Sequence, residues 1–232
     1  MNSLILFPVG IGNPDLAVAL PSYNVQLLNT CHTFIVEELR TARRFLKQAG
    51  YEHSIDSTTF LILNEHTQHT EIISYLDSIA DGNIGLLSEA GLPCIADPGA
   101  KIVRMAQEKN INVVPLVGPS SLMMALMASG FNGQNFSFVG YLPIDKYERL
   151  KAIRKLEERS QKENQTQIFI EAPYRNNQML EALINTCKDN TMICVACDIS
   201  LDTQYIKTLS VRKWRKNIPN LHKRNTVFLL QG

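Results

Sequence analysis

Several short stretches of this chain combine residue types and spacings that could do chemistry. Glu171-Ala172-Pro173-Tyr174-Arg175 sets a carboxylate, an aromatic ring and a guanidinium within one turn. That set could be an ion pair holding a loop, or a binding edge for a polar ligand. Ser88-Glu89-Ala90-Gly91-Leu92-Pro93-Cys94-Ile95-Ala96-Asp97-Pro98-Gly99 follows an apolar run and is rich in turn residues. Such a loop at the end of a buried strand is a place for ligands in an open parallel sheet. Gly10-Ile11-Gly12 follows the first apolar run in the manner of a phosphate-cradling turn. It lacks the third glycine of a dinucleotide site, and Pro14 has no N–H to give an anion. Cys194-Val195-Ala196-Cys197 has metal-clamp spacing but lies inside an apolar run that reads as a strand. Residues three apart on a strand face opposite ways, so buried thiols are expected and no metal site. His66 and His69 have no cysteine cluster near them in sequence and read as exposed polar residues.

The elements that must position these groups are legible from periodicity. Apolar runs at Leu4–Val9, Thr33–Val36, Phe60–Leu63, Ile84–Leu87 and Val113–Val117 read as buried strands. Helical patterns lie between them, at about Ser22 onward, Thr41–Gln48, Thr70–Ile79 and after Pro98. Asp97 is expected to cap that last helix, with Pro98 in its first position. Strands alternating with helices imply a largely parallel sheet. Pro115-Leu116-Val117-Gly118-Pro119-Ser120-Ser121 reads as a boundary, which divides the chain into domains 1–116 and 117–232. The next helix carries Met123, Met124, Leu126 and Met127, is expected to pack as core, and can end in a left-handed turn at Gly130. The second half reads as strands at Phe136–Leu142, Gln167–Ile170, Met192–Ile199 and Thr226–Leu230, with helices over Asp145–Lys162 and Asn177–Cys187. A mixed sheet follows from that balance.

Composition narrows the class. The chain has 232 residues, is 45% hydrophobic and 19% charged, and so can bury a sizeable core. Its net charge of +1 supplies no global field to attract nucleic acid. Basic residues do cluster locally, at Lys146, Arg149, Lys151, Arg154 and Lys155, and again from Arg212 to Arg224. No apolar run is long enough to span a bilayer, and five cysteines in a chain this long do not suggest a disulfide framework. A cytoplasmic protein is expected.

Taken in order, these motifs resemble one family. They are Gly-x-Gly after the first strand, Ser-x-Ala-Gly-x-Pro-x-x-x-Asp-Pro-Gly from Ser88, Pro-x-x-Gly-Pro-Ser from Pro115, Phe-Val-Gly-Tyr-Leu-Pro from Phe138, and Glu-x-x-x-Arg from Glu171. The chain is similar to the tetrapyrrole methylase superfamily, and within it to the branch of the small-subunit ribosomal RNA methyltransferase I, which methylates a cytidine ribose 2′-oxygen. The resemblance implies two α/β domains with S-adenosyl-L-methionine (SAM) in a cofactor cleft between them. It implies cofactor contacts from Pro8, Gly10, Glu89, Ala90, Leu92, Ser120, Ser121, Glu171, Tyr174 and Arg175. Glu37 or Glu38 is the implied general base, with Arg40 orienting the substrate, because the branch carries an acidic element there. It implies ribosomal RNA as substrate, no metal, no membrane, and a homodimer. Glu89 stands where the branch usually has Asp, Leu92 where it has Thr, and Tyr174 where it has His. The residues therefore also allow a tetrapyrrole or other small-molecule methylase, or a paralogue that binds SAM without transferring its methyl group.

Overall fold

A computed structural model describes residues 2–64 and 66–232. The chain forms two compact units, Met1–Ser120 and Ser121–Gly232.

The first unit is built on β1 (Ser3–Phe7), α1 (Ser22–Leu28), β2 (Cys31–Val36), α2 (Leu39–Gln48), β3 (Thr59–Ile62), α3 (His69–Asp77), β4 (Asn83–Leu87), α4 (Ala100–Glu108) and β5 (Asn112–Pro115). The strands form one parallel sheet in the order β3-β2-β4-β1-β5. Both faces of this sheet are covered, which is why its strands read as nearly continuous apolar runs. Ile5 and Phe7 pack on one face with Leu28, Phe45 and Leu46 from α1 and α2. Leu4 packs on the other with Ile72, Leu76, Ile102 and Met105 from α3 and α4.

Local chemistry ends the helices where the sequence says it should. Ala42, Phe45, Leu46 and Ala49 give α2 its buried stripe. After it, Gly50 sits at φ +79°, with Gly50 N–H to the Lys47 carbonyl and Tyr51 N–H to the Leu46 carbonyl. That pair of bonds satisfies carbonyls the helix leaves open. In β4, Gly85 serves packing. A Cβ there would lie 2.5 Å from the Phe34 ring in the neighbouring strand.

The second unit contains α5 (Ser121–Ser129), β6 (Phe136–Tyr141), α6 (Lys146–Glu163), β7 (Thr166–Ile170), α7 (Asn176–Thr186), β8 (Met192–Cys197), β9 (Tyr205–Ser210), α8 (Val211–Trp214) and β10 (Thr226–Gln231). Its sheet runs β6-β7-β10-β8-β9 and is mixed. β6 and β7 are parallel, and the other pairs are antiparallel. Gly130 takes φ +75° just after α5, and Asp145 caps α6 by accepting from Glu148 N–H at 3.0 Å. Met179, Leu180, Leu183 and Ile184 of α7 pack with Phe169, Phe228 and Trp214. Trp214 is fully buried, and its indole N–H donates to the Ile193 carbonyl at 3.0 Å.

Three sequence expectations need correction. Asp97 does not cap α4 and Pro98 is not its first residue. The helix starts at Ala100 after Gly99, and Asp97 is spent inside the preceding loop. The methionine helix is not wholly core. Leu122, Ala125 and Leu126 are buried, while Met127 is 82% exposed. The pattern assigned no element between Ile199 and Thr226, where β9 and α8 form. β9 (Tyr-Ile-Lys-Thr-Leu-Ser) is polar enough to escape a hydrophobic count, and it forms by pairing with β8.

Cys31, Cys187, Cys194 and Cys197 are buried and free, and Cys94 is half-buried. Burial pushes the Cys31 and Cys94 thiols up to about 11 and Cys187 to about 12. Thiolates are the reactive form. Ellman's reagent at neutral pH is therefore expected to label the folded protein slowly, and all five cysteines quickly in denaturant.

Candidate functional site

The order β3-β2-β4-β1-β5 places a switch point between β4 and β1. From β1 the chain crosses towards β2, and from β4 it crosses the opposite way, towards β5. Adjacent strands whose connections diverge leave a crevice outside their carboxyl ends, where open α/β sheets bind ligands. The loops that flank this point hold Pro8 and Gly10 after β1, and Ser88–Gly99 after β4.

These loops are pinned to one another. Val9 N–H donates to the Gly91 carbonyl at 2.9 Å, and Ser88 Oγ donates to the same oxygen at 3.1 Å. Gly91 takes φ +70°, and a Cβ there would press Ile11 and the Pro119 carbonyl at 3.3 Å. Gly118, in the loop after β5, lies against Pro8. A Cβ on it would fall 2.1 Å from the Pro8 Cβ. Asn24 Nδ2 donates to the Val117 carbonyl at 2.9 Å and ties that loop to α1. Within the Ser88–Gly99 loop, Asp97 Oδ1 accepts from Cys94 N–H at 2.9 Å and Gly99 N–H at 2.8 Å. Burial raises the Asp97 carboxyl, and those two hydrogen bonds oppose the rise. Cys94 and Ala96 both have φ above +60° without being glycine. Strained backbone of this kind persists only where its surroundings hold it.

The candidate residues fall into separate groups. Pro8 is buried under Gly118, so its part is packing, whereas Gly10, Glu89, Ala90 and Leu92 keep exposed or half-exposed surface at the strand ends. Ser120 closes the first unit and Ser121 opens α5; both are half-exposed.

Glu37 and Glu38 lie at the end of β2. Glu38 caps α2, with Oε1 accepting from Arg40 N–H at 3.0 Å and Oε2 from Thr41 N–H at 2.8 Å. These bonds hold its carboxyl below the ordinary 4.5. A carboxylate so held is a weak proton acceptor. Glu37 instead borders a crevice of about 10 Å3 that it shares with Leu87, Ser88, Asp97 and Gly99. Arg40 is exposed in the first turn of α2.

In the second unit Glu171 and Arg175 are paired. Arg175 Nε and Nη2 donate to Glu171 Oε1 at 3.0 and 2.7 Å. Both side chains are largely buried. That pair raises the Arg175 guanidinium further above its ordinary value. Tyr174 is 60% exposed, with the Arg175 Cζ 5.2 Å from its ring centroid. Sequence spacing alone left these residues open between an ion pair and a binding edge; the geometry makes Glu171 and Arg175 an ion pair and leaves the Tyr174 ring exposed beside it. Sequence reasoning gave no role to Tyr141, which ends β6 beside them, and read Gly118 only as part of a boundary and a motif, where the structure shows it packed against Pro8.

Among the described residues, no group of three or more His, Cys, Asp or Glu could hold a metal ion, and no helix is long and apolar enough to cross a membrane. Arg212 and Arg215 face Asp189, and Arg224 pairs with Asp198, so much of the basic tail is already partnered.

Residues 3–213 match the tetrapyrrole (corrin/porphyrin) methylase family. Among similar proteins is a ribosomal RNA small subunit methyltransferase I of Leptospira borgpetersenii serovar Hardjo-bovis. It is 33% identical over 99% of this chain and 87% of its own length. The protein of the same name from Escherichia coli O157:H7 is 28% identical over 100% of this chain and 78% of its own. A crystal structure of the methyltransferase CobJ shares the fold, with a TM-score of 0.65 at 14% identity, covering 100% of this chain and 95% of that one. The pinned strand-end loops thus sit in a fold and a sequence pattern with one source: the chain belongs to the tetrapyrrole (corrin/porphyrin) methylase family, and it is a methyltransferase.

Proposed function

We propose that this chain transfers a methyl group from S-adenosyl-L-methionine to ribosomal RNA, on a ribose hydroxyl. The observation that carries the reading is the set of pinned loops at the switch point of the first unit, in a chain whose relatives are named as ribosomal RNA small subunit methyltransferases. The residues present fit such a cofactor. Gly91 and Gly118 keep the loops close, and Glu89, Ala90 and Gly10 leave backbone and side chain open at the strand ends.

When bound, the cofactor supplies an electrophilic methyl group on a sulfonium. The chain's own residues must align the acceptor and exclude water. Gly10, Glu89, Ala90, Leu92, Ser120 and Ser121 would hold the cofactor, with Pro8 fixing the loop beneath them. Glu37, which borders the crevice beside the loop after β4, is the base proposed here, while Glu38 is held in the α2 cap. Arg40 would orient the acceptor. We further propose that the protein works in the cytoplasm as a homodimer, which analytical ultracentrifugation would test.

The direct experiment is calorimetric titration with SAM and its demethylated product, followed by methylation of small ribosomal subunits with labelled SAM. Binding together with labelled RNA is the expected result. Binding with no transfer to any RNA would leave a methylase of a tetrapyrrole or other small molecule, or a non-catalytic paralogue. Binding of neither would overturn the reading.

Glu38→Gln is expected to lower the melting temperature at neutral pH while Glu37→Gln lowers turnover. The sign for Glu38 is set by its lowered carboxyl. Its stabilisation is present above the unfolded value, near 4.5, and is lost as pH falls through the folded one. The gap between Glu38→Gln and the unaltered protein should therefore close in acid, which thermal melts across pH would measure.

The exposed face of α6 carries Tyr147, Lys151, Arg154 and Lys155 at spacings that bring them to one side. Reversing Lys151, Arg154 and Lys155 to Glu should flatten the log–log salt dependence of RNA affinity by about 2 units, as expected for about three lost phosphate contacts on a single strand. Fluorescence anisotropy at several salt concentrations reads that slope.

A further inference from the structure

At one end of the second sheet, β6 and β7 stop side by side, with Tyr141 opposite Ile170 and Glu171 following directly. The pairing slips between Phe138 and Tyr141, and Gly140 there has φ +71°. Such a bulge bends the strand and re-aims the side chain beyond it. Tyr141 is 60% exposed, as is Tyr174 on the neighbouring loop. Arg175 lies over the Tyr174 ring, and the β6–β7 pairing sets Tyr141 opposite the residue that precedes Glu171, the partner of Arg175.

This frame is rigid. Arg175 is tied to the buried Glu171 by two hydrogen bonds. The loop is held from behind by Lys223 N–H on the Pro173 carbonyl at 2.9 Å and by Asn176 Nδ2 on the Arg224 carbonyl at 2.6 Å. The second carboxylate oxygen of Glu171, Oε2, is buried and has no hydrogen-bond partner among the described residues. An orphaned buried acceptor is uncommon and marks a place for a further donor. One exposed ring against an immobilised guanidinium and a second exposed ring at the neighbouring strand end present flat, polarisable faces. Unpaired bases stack on such tyrosines and on guanidinium planes.

We propose that Tyr141, Tyr174 and Arg175 form a stacking platform for an unpaired base of a single-stranded RNA segment. This rests on the reading of the chain as an RNA methyltransferase, and it assigns Glu171, Tyr174 and Arg175 to the acceptor in place of the cofactor. Arg175 supplies the cation–π and planar contact, Glu171 holds it in place, and the tyrosines supply the faces. Recognition by stacking tolerates any base, so the platform grips the strand and leaves the choice of nucleotide to other residues.

The test compares Tyr141→Ala, Tyr174→Ala and Tyr174→Phe. Affinity for a short fluorescein-labelled single-stranded RNA of mixed sequence is measured by anisotropy, SAM affinity by calorimetry, and folding by the emission of Trp214. Each alanine variant is expected to bind the RNA about ten-fold more weakly. Tyr174→Phe, which keeps its ring, should bind as the unaltered protein does, and SAM affinity should not change in any of them. Unchanged RNA affinity in both alanine variants would overturn the platform, even if the unaltered protein methylates subunits. An equal loss in Tyr174→Phe would also overturn it, since the phenol rather than the ring face would then be in use. A fall in SAM affinity alone would place the cofactor on these rings and overturn it too. If the unaltered protein binds SAM but no RNA of any kind, the platform and the RNA reading fall together.

Discussion

Gly118→Ala is expected to destabilise the first unit by about 1–3 kcal/mol, the range for forcing a methyl group into a packed site, and to weaken SAM binding about ten-fold or more. The added Cβ would fall 2.1 Å from the Pro8 Cβ and 2.5 Å from its Cγ. A flexible neighbour could swing away, but a proline ring cannot. The loops after β1 and β5 must therefore separate. The loop after β1 also carries the Val9–Gly91 bridge, so the displacement passes to Gly91 and the loop after β4. Every proposed cofactor contact of the first unit depends on these three connections. Gly133→Ala is the matched control, since a Cβ there meets nothing within 4 Å. Thermal melts and calorimetry with SAM check both halves of the prediction. A normal melt with normal affinity would show that the loops can part at no cost.

The second large effect is expected at the ion pair of the other unit. Arg175→Met keeps the length of the side chain and removes its charge. Glu171 would then be left as a nearly fully buried carboxylate whose Oε1 keeps only the Ala172 N–H, at 2.7 Å. Removing one partner of a buried pair costs about 3–5 kcal/mol, because the remaining charge loses its compensation while staying out of water. The double variant Glu171→Leu, Arg175→Met should recover much of that loss, since two apolar groups need no partner. Denaturant unfolding followed by Trp214 emission reports on this unit. A single variant as stable as the unaltered protein would mean that the carboxylate is neutralised or hydrated in place.

Much of the architecture was legible before any coordinates. The apolar runs of the first half are strands because a parallel sheet covered on both faces demands such runs, and no surface requirement competes with that signal. β9 was illegible for the opposite reason. Its side chains carry little hydrophobic periodicity, and its partner strand supplies the order. The misplacement of Asp97 has a local cause. Asp followed by Pro satisfies the rules for a helix start, but the same carboxylate can close a turn onto Cys94 and Gly99, and here it does. The methionines of α5 were expected inside because sequence registers their apolar character and not the side they face.

For the site, the sequence alone determined the ordered motifs, and through them the family. Backbone chemistry makes that possible: glycines and prolines at strand ends mark turns that few other residues can form. Which carboxylate caps α2, which arginine is paired and which tyrosine is exposed were decided only in three dimensions. Glu37 and Glu38 are equivalent as letters, yet one caps α2 and the other borders a crevice. Tyr141 lies 29 positions from Ile170 and faces it only through the pairing of β6 with β7, whose register shifts beside Gly140. Placements of that kind depend on register and on a single backbone torsion, and neither is written in the composition or the spacing of the chain.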